Sequence, residues 1–259
     1  MTDVQGQVDI RNIAINKVGI KQIKYPISLL DKQNKEQHTV ADISMSVSLP
    51  KEFKGTHMSR FIEVINKYQR EIELTNLQEI LSFMKDRLNA EDAHLELSFP
   101  YFIEKTAPVS GAKGLMDYNC HVQGKINGEN EMDIVLGVTV PITTLCPCSK
   151  EISNFGAHNQ RSEVTLRVRM NDFLWLEDLI SVVEKSGSCE IYSILKREDE
   201  KYVTEKAYEN PVFVEDVVRE ITARLSKDPR ILWFTVESEN FESIHNHNAY
   251  AFIERDFRD

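Results

Sequence analysis

The sequence predicts an α+β chain made of two successive β-β-α-α-β-β modules, with antiparallel sheets that carry their helices on one face. Three observations predict it. Apolar residues alternate with polar ones in several long runs, as half-buried strands require. Between those runs the apolar period changes to three and four, which gathers the side chains on one face of a helix. The same order of elements then occurs twice along 259 residues, and no Gly-, Pro- or Ser-rich linker parts the two halves. Residues 1–17 read as a flexible N-terminal arm, 18–128 as the first module, and 129–259 as the second module with most of the chemical motifs.

In the first module Ile23, Tyr25, Ile27 and Leu29 alternate with polar neighbours and mark a strand. The polar stretch DKQNKEQ (31–37) is a turn, and Ile43, Met45, Val47 and Leu49 form the returning strand, which ends at Pro50. Phe61, Ile62, Val64, Ile65 and Tyr68 recur at helical spacing, so 57–70 is an amphipathic helix. A second helix opens at Thr75, with Gln78 as its capping-box partner, and buries Leu77, Ile80, Leu81, Met84 and Leu88. Leu95, Leu97, Phe99, Tyr101 and Ile103 restore period two, 115–126 is the next strand, and Asn127-Gly128 predicts a tight hairpin turn.

The second module repeats the order. Residues 131–142 read as a strand, and Val164, Leu166, Val168 and Met170 as its partner. Phe173, Leu176, Leu179, Ile180 and Val183 form a helix that ends near Gly187. A later helix opens at Asn210-Pro211, a cap followed by a first-turn proline, with Val214, Val217, Val218, Ile221 and Leu225 on its apolar face. Strands at about 231–239 and 248–254 close the pattern.

Composition narrows the function classes. Hydrophobic residues are 41% and charged residues 28% of the chain, an ordinary globular balance. No apolar run reaches the about 18 residues of a membrane span. The net charge of −10 argues against general binding to nucleic acid or to an anionic membrane, so an anionic ligand needs a local basic cluster. Four cysteines, Cys120, Cys146, Cys148 and Cys189, are too few for a disulfide framework at this length. The start MTDVQGQVDI has no basic segment followed by an apolar one. Together these features lead to the expectation of a cytoplasmic protein.

Chemistry concentrates in five stretches. CPCSKEIS (146–153) and GAHNQRS (156–162) lie on one long loop between the first two strands of the second module. A thiol at Cys146 and an imidazole at His158, twelve residues on, suit a borderline divalent metal. Cys148 points away from Cys146 if the segment is extended, so one sulfur ligand is expected. The alternative is a loop with two incidental thiols and a surface histidine. ESIHNH (242–247) places His245 and His247 on one side if extended, either as ligand and acid–base group or as two proton carriers, with Glu242 close by. KREDEK (196–201) is a charge run in an inter-helix loop, from which a carboxylate could complete a metal set. Glu215 stands near a helix start, where it is either a surface carboxylate or an acceptor for the donor edge of a flat heterocycle. KTAPVSG (105–111) follows a strand of the first module and reads by itself as a Pro/Ser/Gly turn. The absence of a P-loop, a dinucleotide fingerprint and a nucleophile elbow argues against the corresponding enzyme classes.

CPCSKEIS with GAHNQRS, then KREDE, NPVFVED and ESIHNHNAY, together resemble the type IB GTP cyclohydrolase family, and KTAPVSG extends the resemblance over nearly the whole chain. It implies two tandem tunnelling-fold modules per subunit and a homo-oligomer, most simply a tetramer, with active sites at subunit boundaries. It implies hydrolysis of GTP to 7,8-dihydroneopterin triphosphate and formate, the first step of tetrahydrofolate biosynthesis. Cys146, His158 and Glu200 would hold one divalent ion per site, Zn, Mn or Fe(II). Glu215 would anchor the guanine edge, and Glu242, His245 and His247 would bind or move protons. Lys150, Arg161, Arg197 and Lys206, basic residues near the motifs, are candidates for the triphosphate. Within the same fold, a cyclic-phosphate-forming GTP cyclohydrolase and a nitrile reductase with a nucleophilic cysteine are the competing enzymes. A metal-binding scaffold without catalysis is the competing class.

Overall fold

The computed structural model describes residues 5–68 and 76–258. Within them the chain forms two compact units, one from 5–100 and 121–135, the other from 101–120 and 136–258.

The first unit is built on the long antiparallel hairpin of β1 (Ile15–Asp31) and β2 (Lys35–Leu49), in register through pairs such as Ile27↔Thr39 and Tyr25↔Ala41. The predicted alternation is what buries Ile43, Met45, Val47 and Leu49. β1 also runs further back than its apolar pattern suggests. A register break between Ile20 and Ile23 accommodates it, with Gln22 at φ 59°. Leu95 and Leu97 at the start of β3 (Ala93–Thr106) face Met45 and Ile43 across the next ladder. α1 (Met58–Lys67) buries Phe61, Val64 and Ile65, while α2 (Leu77–Leu88) buries the five apolar residues predicted for it. α2 stops where Asn89 turns left-handed at φ 50°. Thr75, predicted to open α2, lies outside the described residues.

Two expectations for this unit need correction. The N-terminal arm is tied down from Gln5 onward: Gly55 N–H donates to Gln5 O (3.1 Å), Lys54 N–H to Gln7 O (3.0 Å), and Val8 bridges Phe53. The Asn127 turn is a wider loop. Asn127 Oδ1 accepts the N–H groups of Glu129 and Glu131, and the left-handed position falls on Asn130 (φ 63°).

The second unit takes the end of β3, the start of β4 (Lys113–Ile126) and most of β5 (Met132–Leu145). It adds α3 (Pro147–Ile152), β6 (Asn159–Met170), α4 (Leu176–Glu184), β7 (Cys189–Glu190), α5 (Arg197–Glu209), α6 (Val214–Leu225), β8 (Ile231–Asn240) and β9 (Ala249–Asp256). β6 pairs antiparallel with β8, and β8 with β9. β7 is a two-residue strand that pairs with β5 through Ile142↔Glu190. α6 buries Val214, Val217, Val218, Ile221 and Leu225, and packs on α4, β8 and β9.

The β-β-α-α-β-β order therefore holds, with α3, β7 and α5 added in the second half. The KREDEK run is not a loop. It forms the first turn of α5, where three acidic residues oppose the positive end of the helix dipole. Asn210 does not open the next helix. It ends α5, and its side-chain Nδ2 donates to Gly187 O (3.0 Å). α6 starts at Val214, where Asp216 accepts the Phe213 N–H (3.1 Å). No helix among the described residues is long and apolar enough to cross a membrane.

Candidate active site

The long loop between β5 and β6 is organised around Ser149. Cys146 follows β5 and caps α3, and its sulfur accepts the Ser149 N–H (3.4 Å). Ser149 Oγ in turn accepts the His158 N–H (2.9 Å), and the Cys146 N–H donates to His158 O (3.1 Å). These bonds hold Cys146 and His158 side by side across the neck of the loop. Gly156 makes the return possible, since its φ of 118° is a conformation that side-chain-bearing residues rarely adopt. Cys148 sits exposed on α3.

His158 immediately precedes β6, in the alternation that continues with Gln160 and Ser162, two and four residues further on. Its Nδ1 lies 3.0 Å from Gln160 Oε1 and 3.9 Å from Glu242 Oε2. Both acidic and imidazole side chains are largely shielded, at 11% and 14% exposed. With Nδ1 engaged, Nε2 is the nitrogen left to meet a ligand. A sulfur and an imidazole nitrogen held this way fit a borderline divalent ion. Among the described residues no three His, Cys, Asp or Glu side chains converge closely enough to enclose one. Glu200 is exposed on the first turn of α5.

The other candidates fall into two groups. His245 and His247 are exposed in the β8–β9 loop with their rings stacked, centroids 5.0 Å apart and planes 13° from parallel. Glu215 is exposed at the second position of α6. The basic candidates gather elsewhere. Arg161 lines a cavity of about 550 Å³ with Asn159, Glu190, Tyr192 and Tyr208. Lys150 lies over the Tyr208 ring (4.4 Å) and donates to Tyr208 O, and Lys206 stands 3.9 Å from Glu190. Arg197 is exposed at the start of α5. Neither Cys146 nor His158 belongs to the wall of that cavity.

Three features carry roles that the motifs did not reveal. Lys105, only 9% exposed, sits between Glu184 (2.7 Å) and Glu190 (3.1 Å) and donates to Ile191 O (3.0 Å). Burial raises the Glu190 carboxyl, but Lys105, together with Lys206 and the Tyr192 hydroxyl, outweighs it and holds the group below its ordinary range. Asp199, buried, ties the KTAPVSG loop to the start of α5. Gln160 supports His158 from behind; its position two residues along a strand is the one signal that could have marked it.

The sequence model of the type I GTP cyclohydrolase folE2 family matches residues 1–251. The chain belongs to that family. It is 60% identical over 259 residues to the GTP cyclohydrolase FolE2 of Geotalea uraniireducens, covering all of this chain and 95% of the relative. The FolE2 protein of Syntrophus aciditrophicus is 59% identical over 256 residues, covering 99% of this chain and the whole of the relative. Among solved structures, a uricase from Bacillus fastidious superposes with a TM-score of 0.57 at 8% identity, covering 93% of both chains. A uricase from Arthrobacter globiformis gives 0.55 at 9% identity, again over 93% of both chains. At such identities these uricases establish the shared tunnelling fold and no more.

Proposed function

We propose that this FolE2-family chain is a GTP cyclohydrolase that converts GTP and water to 7,8-dihydroneopterin triphosphate and formate, for tetrahydrofolate biosynthesis in the cytoplasm. The observation that carries the reading is membership of that family along essentially the whole chain. The arrangement of Cys146, Ser149 and His158 supports it.

Cys146 and His158 would hold one divalent ion, with Glu200 as the carboxylate ligand. Zinc, manganese and iron(II) all suit a sulfur, a nitrogen and an oxygen. When bound, the ion supplies a water of lowered pKa for attack on a weakly electrophilic purine carbon. The chain's own residues do the rest. Glu215 accepts hydrogen bonds from the donor edge of guanine and fixes its register. Glu242, His245 and His247 deliver a proton to N7 as the imidazole ring opens. They also serve the later ribose rearrangement and ring closure, both of which are proton transfers. Lys150, Arg161, Arg197 and Lys206 oppose the triphosphate charge on an otherwise acidic protein.

We further propose a homotetramer with sites completed at subunit boundaries. Glu215, Glu200, His245 and His247 are exposed in one chain, and β9 presents Tyr250 (59% exposed) and Phe252 (47%) on an edge strand. A sedimentation mass four times the 29.9 kDa of one chain is the expected result, and a stable monomer would overturn it.

The activity is tested with metal-free protein and GTP, with and without Mn(II) or Zn(II), followed by oxidation. Metal-dependent pterin fluorescence and formate are expected. No product with any divalent ion would overturn the reading.

A further inference from the structure

Behind His158 runs a chain of buried polar side chains that ends on another strand. Gln160 Nε2 donates to Thr144 Oγ1 (2.8 Å), Thr144 Oγ1 meets Ser162 Oγ (2.8 Å), and Ser162 Oγ donates to Asn240 Oδ1 (2.7 Å). Gln160, Thr144, Ser162 and Asn240 are all buried. Such a chain has a direction, because each hydroxyl has a single proton to give. Ser162 spends its proton on Asn240, so it must accept from Thr144. Thr144 then has only lone pairs for Gln160, which must present its NH₂ there and its Oε1 to His158. The nitrogen facing Oε1 must therefore carry a proton.

One other polarity keeps every hydroxyl proton bonded within the chain. Turning the Asn240 amide over would reverse every bond and leave an N–H of Gln160 pointing at Nδ1, with the imidazole proton moved to Nε2. The two amide orientations select the first polarity: Gln160 Nε2 faces Thr144 and Asn240 Oδ1 faces Ser162. A Glu242 oxygen 3.9 Å from the same Nδ1 accords with it.

We infer that Gln160, Thr144, Ser162 and Asn240 form a polarity relay that fixes His158 as the Nδ1–H tautomer and keeps the Nε2 lone pair free for a ligand. These four are positioning residues. The far anchor, Asn240, pairs with Ser162 across the β6–β8 ladder and touches neither Cys146 nor His158 by any bond described. The functional consequence rests on the metal site proposed above. A metal binds the neutral imidazole through an unprotonated nitrogen, and outer partners that set the tautomer are typically worth about 10–100-fold in affinity.

The test uses the full chain, labelled with ¹⁵N-histidine and freed of metal, well above the imidazole titration range of about 6.5. Long-range ¹H–¹⁵N spectra read both ring nitrogens, with His158→Gln identifying the signals. The expected wild-type pattern is a protonated Nδ1 and a bare Nε2. In Thr144→Val the relay is cut, so an Nε2–H population should appear and Zn(II) affinity should fall about tenfold or more. Asn240→Asp, which can only accept from Ser162, should keep the wild-type tautomer and zinc affinity. A wild-type Nε2–H signal overturns the relay, as does a Thr144→Val chain with unchanged tautomer and affinity. The wild-type spectrum decides even if a variant fails to fold. The expected tautomer without any zinc binding would uphold the relay and overturn the metal assignment instead.

Discussion

Asp199 holds Ser110 at two points. One carboxylate oxygen accepts the Ser110 N–H (2.9 Å) and the other accepts its hydroxyl. The same carboxylate takes the N–H groups of Val109 (2.8 Å) and Lys196 (2.9 Å). A single buried side chain thus closes the KTAPVSG loop and caps α5. Asp199→Ala removes all four acceptor contacts, so the Val109 and Ser110 amides should exchange with solvent about tenfold faster or more, the change expected from about 1.4 kcal/mol of lost protection. Exchange at wild-type rates in the variant would show that the loop is held by something else.

Lys105 is the second buried charge whose removal has a computable sign. Taking it away leaves Glu184 without that cation and Glu190 with the more distant Lys206 (3.9 Å), and Glu184 also accepts the Tyr118 hydroxyl (2.6 Å). Breaking a fully buried pair costs about 3–5 kcal/mol. Glu190 is 24% exposed, so Lys105→Met is expected to cost less, about 2–3 kcal/mol, in denaturant unfolding. Adding Glu190→Gln should recover part of that loss.

The β1–β2 turn predicts how stability responds to acid. Asp31 Oδ1 accepts the N–H groups of Gln33 and Asn34 (both 2.7 Å), and Gln37 donates to Oδ2 (3.1 Å). Burial alone would raise this carboxyl, but the hydrogen bonds prevail and hold it below its ordinary value. A carboxyl depressed in the folded state stabilises the fold fully above its unfolded pKa of about 3.9, and the contribution fades as pH falls toward the folded value. Asp31→Asn should therefore lower stability at neutral pH and flatten its decline below about pH 4. Parallel acid titration curves for the two proteins would exclude this role.

These groups also show why the sequence was legible in some places and silent in others. Strands such as Ile43–Leu49 and Val164–Met170 announce themselves because one face meets a core and the other meets water. α5 has no such contrast: only Asp199 and Ala207 are buried on it, so its charged first turn looked like a loop. Asn210-Pro211 carries the composition of a helix start, yet α5 had already claimed Asn210 as its terminus. The motifs led to Cys146 and His158, which a backbone hydrogen bond joins. Their supports, Ser149, Gln160, Thr144 and Asn240, came from α3, β6, β5 and β8; Ser149 and Gln160 lie inside the motifs, but nothing in the residue types of Thr144 and Asn240 links them to His158. Sequence spacing carries local periodicity well, whereas a bond across strands is set by register.

The metal assignment predicts a joint loss. Cys146→Ala deletes the sulfur, and with it the Ser149 N–H bond, and His158→Ala deletes the imidazole, while the His158 N–H bond to Ser149 Oγ and the Cys146 N–H bond to His158 O survive. Both variants should stay folded, lose at least about tenfold in metal affinity, and lose turnover in step with metal content. Metal analysis and GTP turnover on the same preparations check this. A variant with full metal and wild-type turnover would remove that ligand.

Glu215 separates recognition from metal chemistry. It is exposed at the start of α6, on an element that carries neither Cys146 nor His158, so its loss should leave metal content at the wild-type level. In the proposed role it takes hydrogen bonds from the guanine donor edge, and a charged acceptor of that kind contributes about 1.5–3 kcal/mol. Glu215→Ala should then reduce kcat/KM for GTP by roughly tenfold to a hundredfold, each 1.4 kcal/mol being about a factor of ten. Glu215→Gln keeps the shape but offers an NH₂ where the base also donates, so it should do no better than alanine. Inosine triphosphate, which lacks the exocyclic amine, should discriminate poorly between wild type and Glu215→Ala. If the variant keeps wild-type kcat/KM for GTP with full metal content, the guanine edge is read elsewhere.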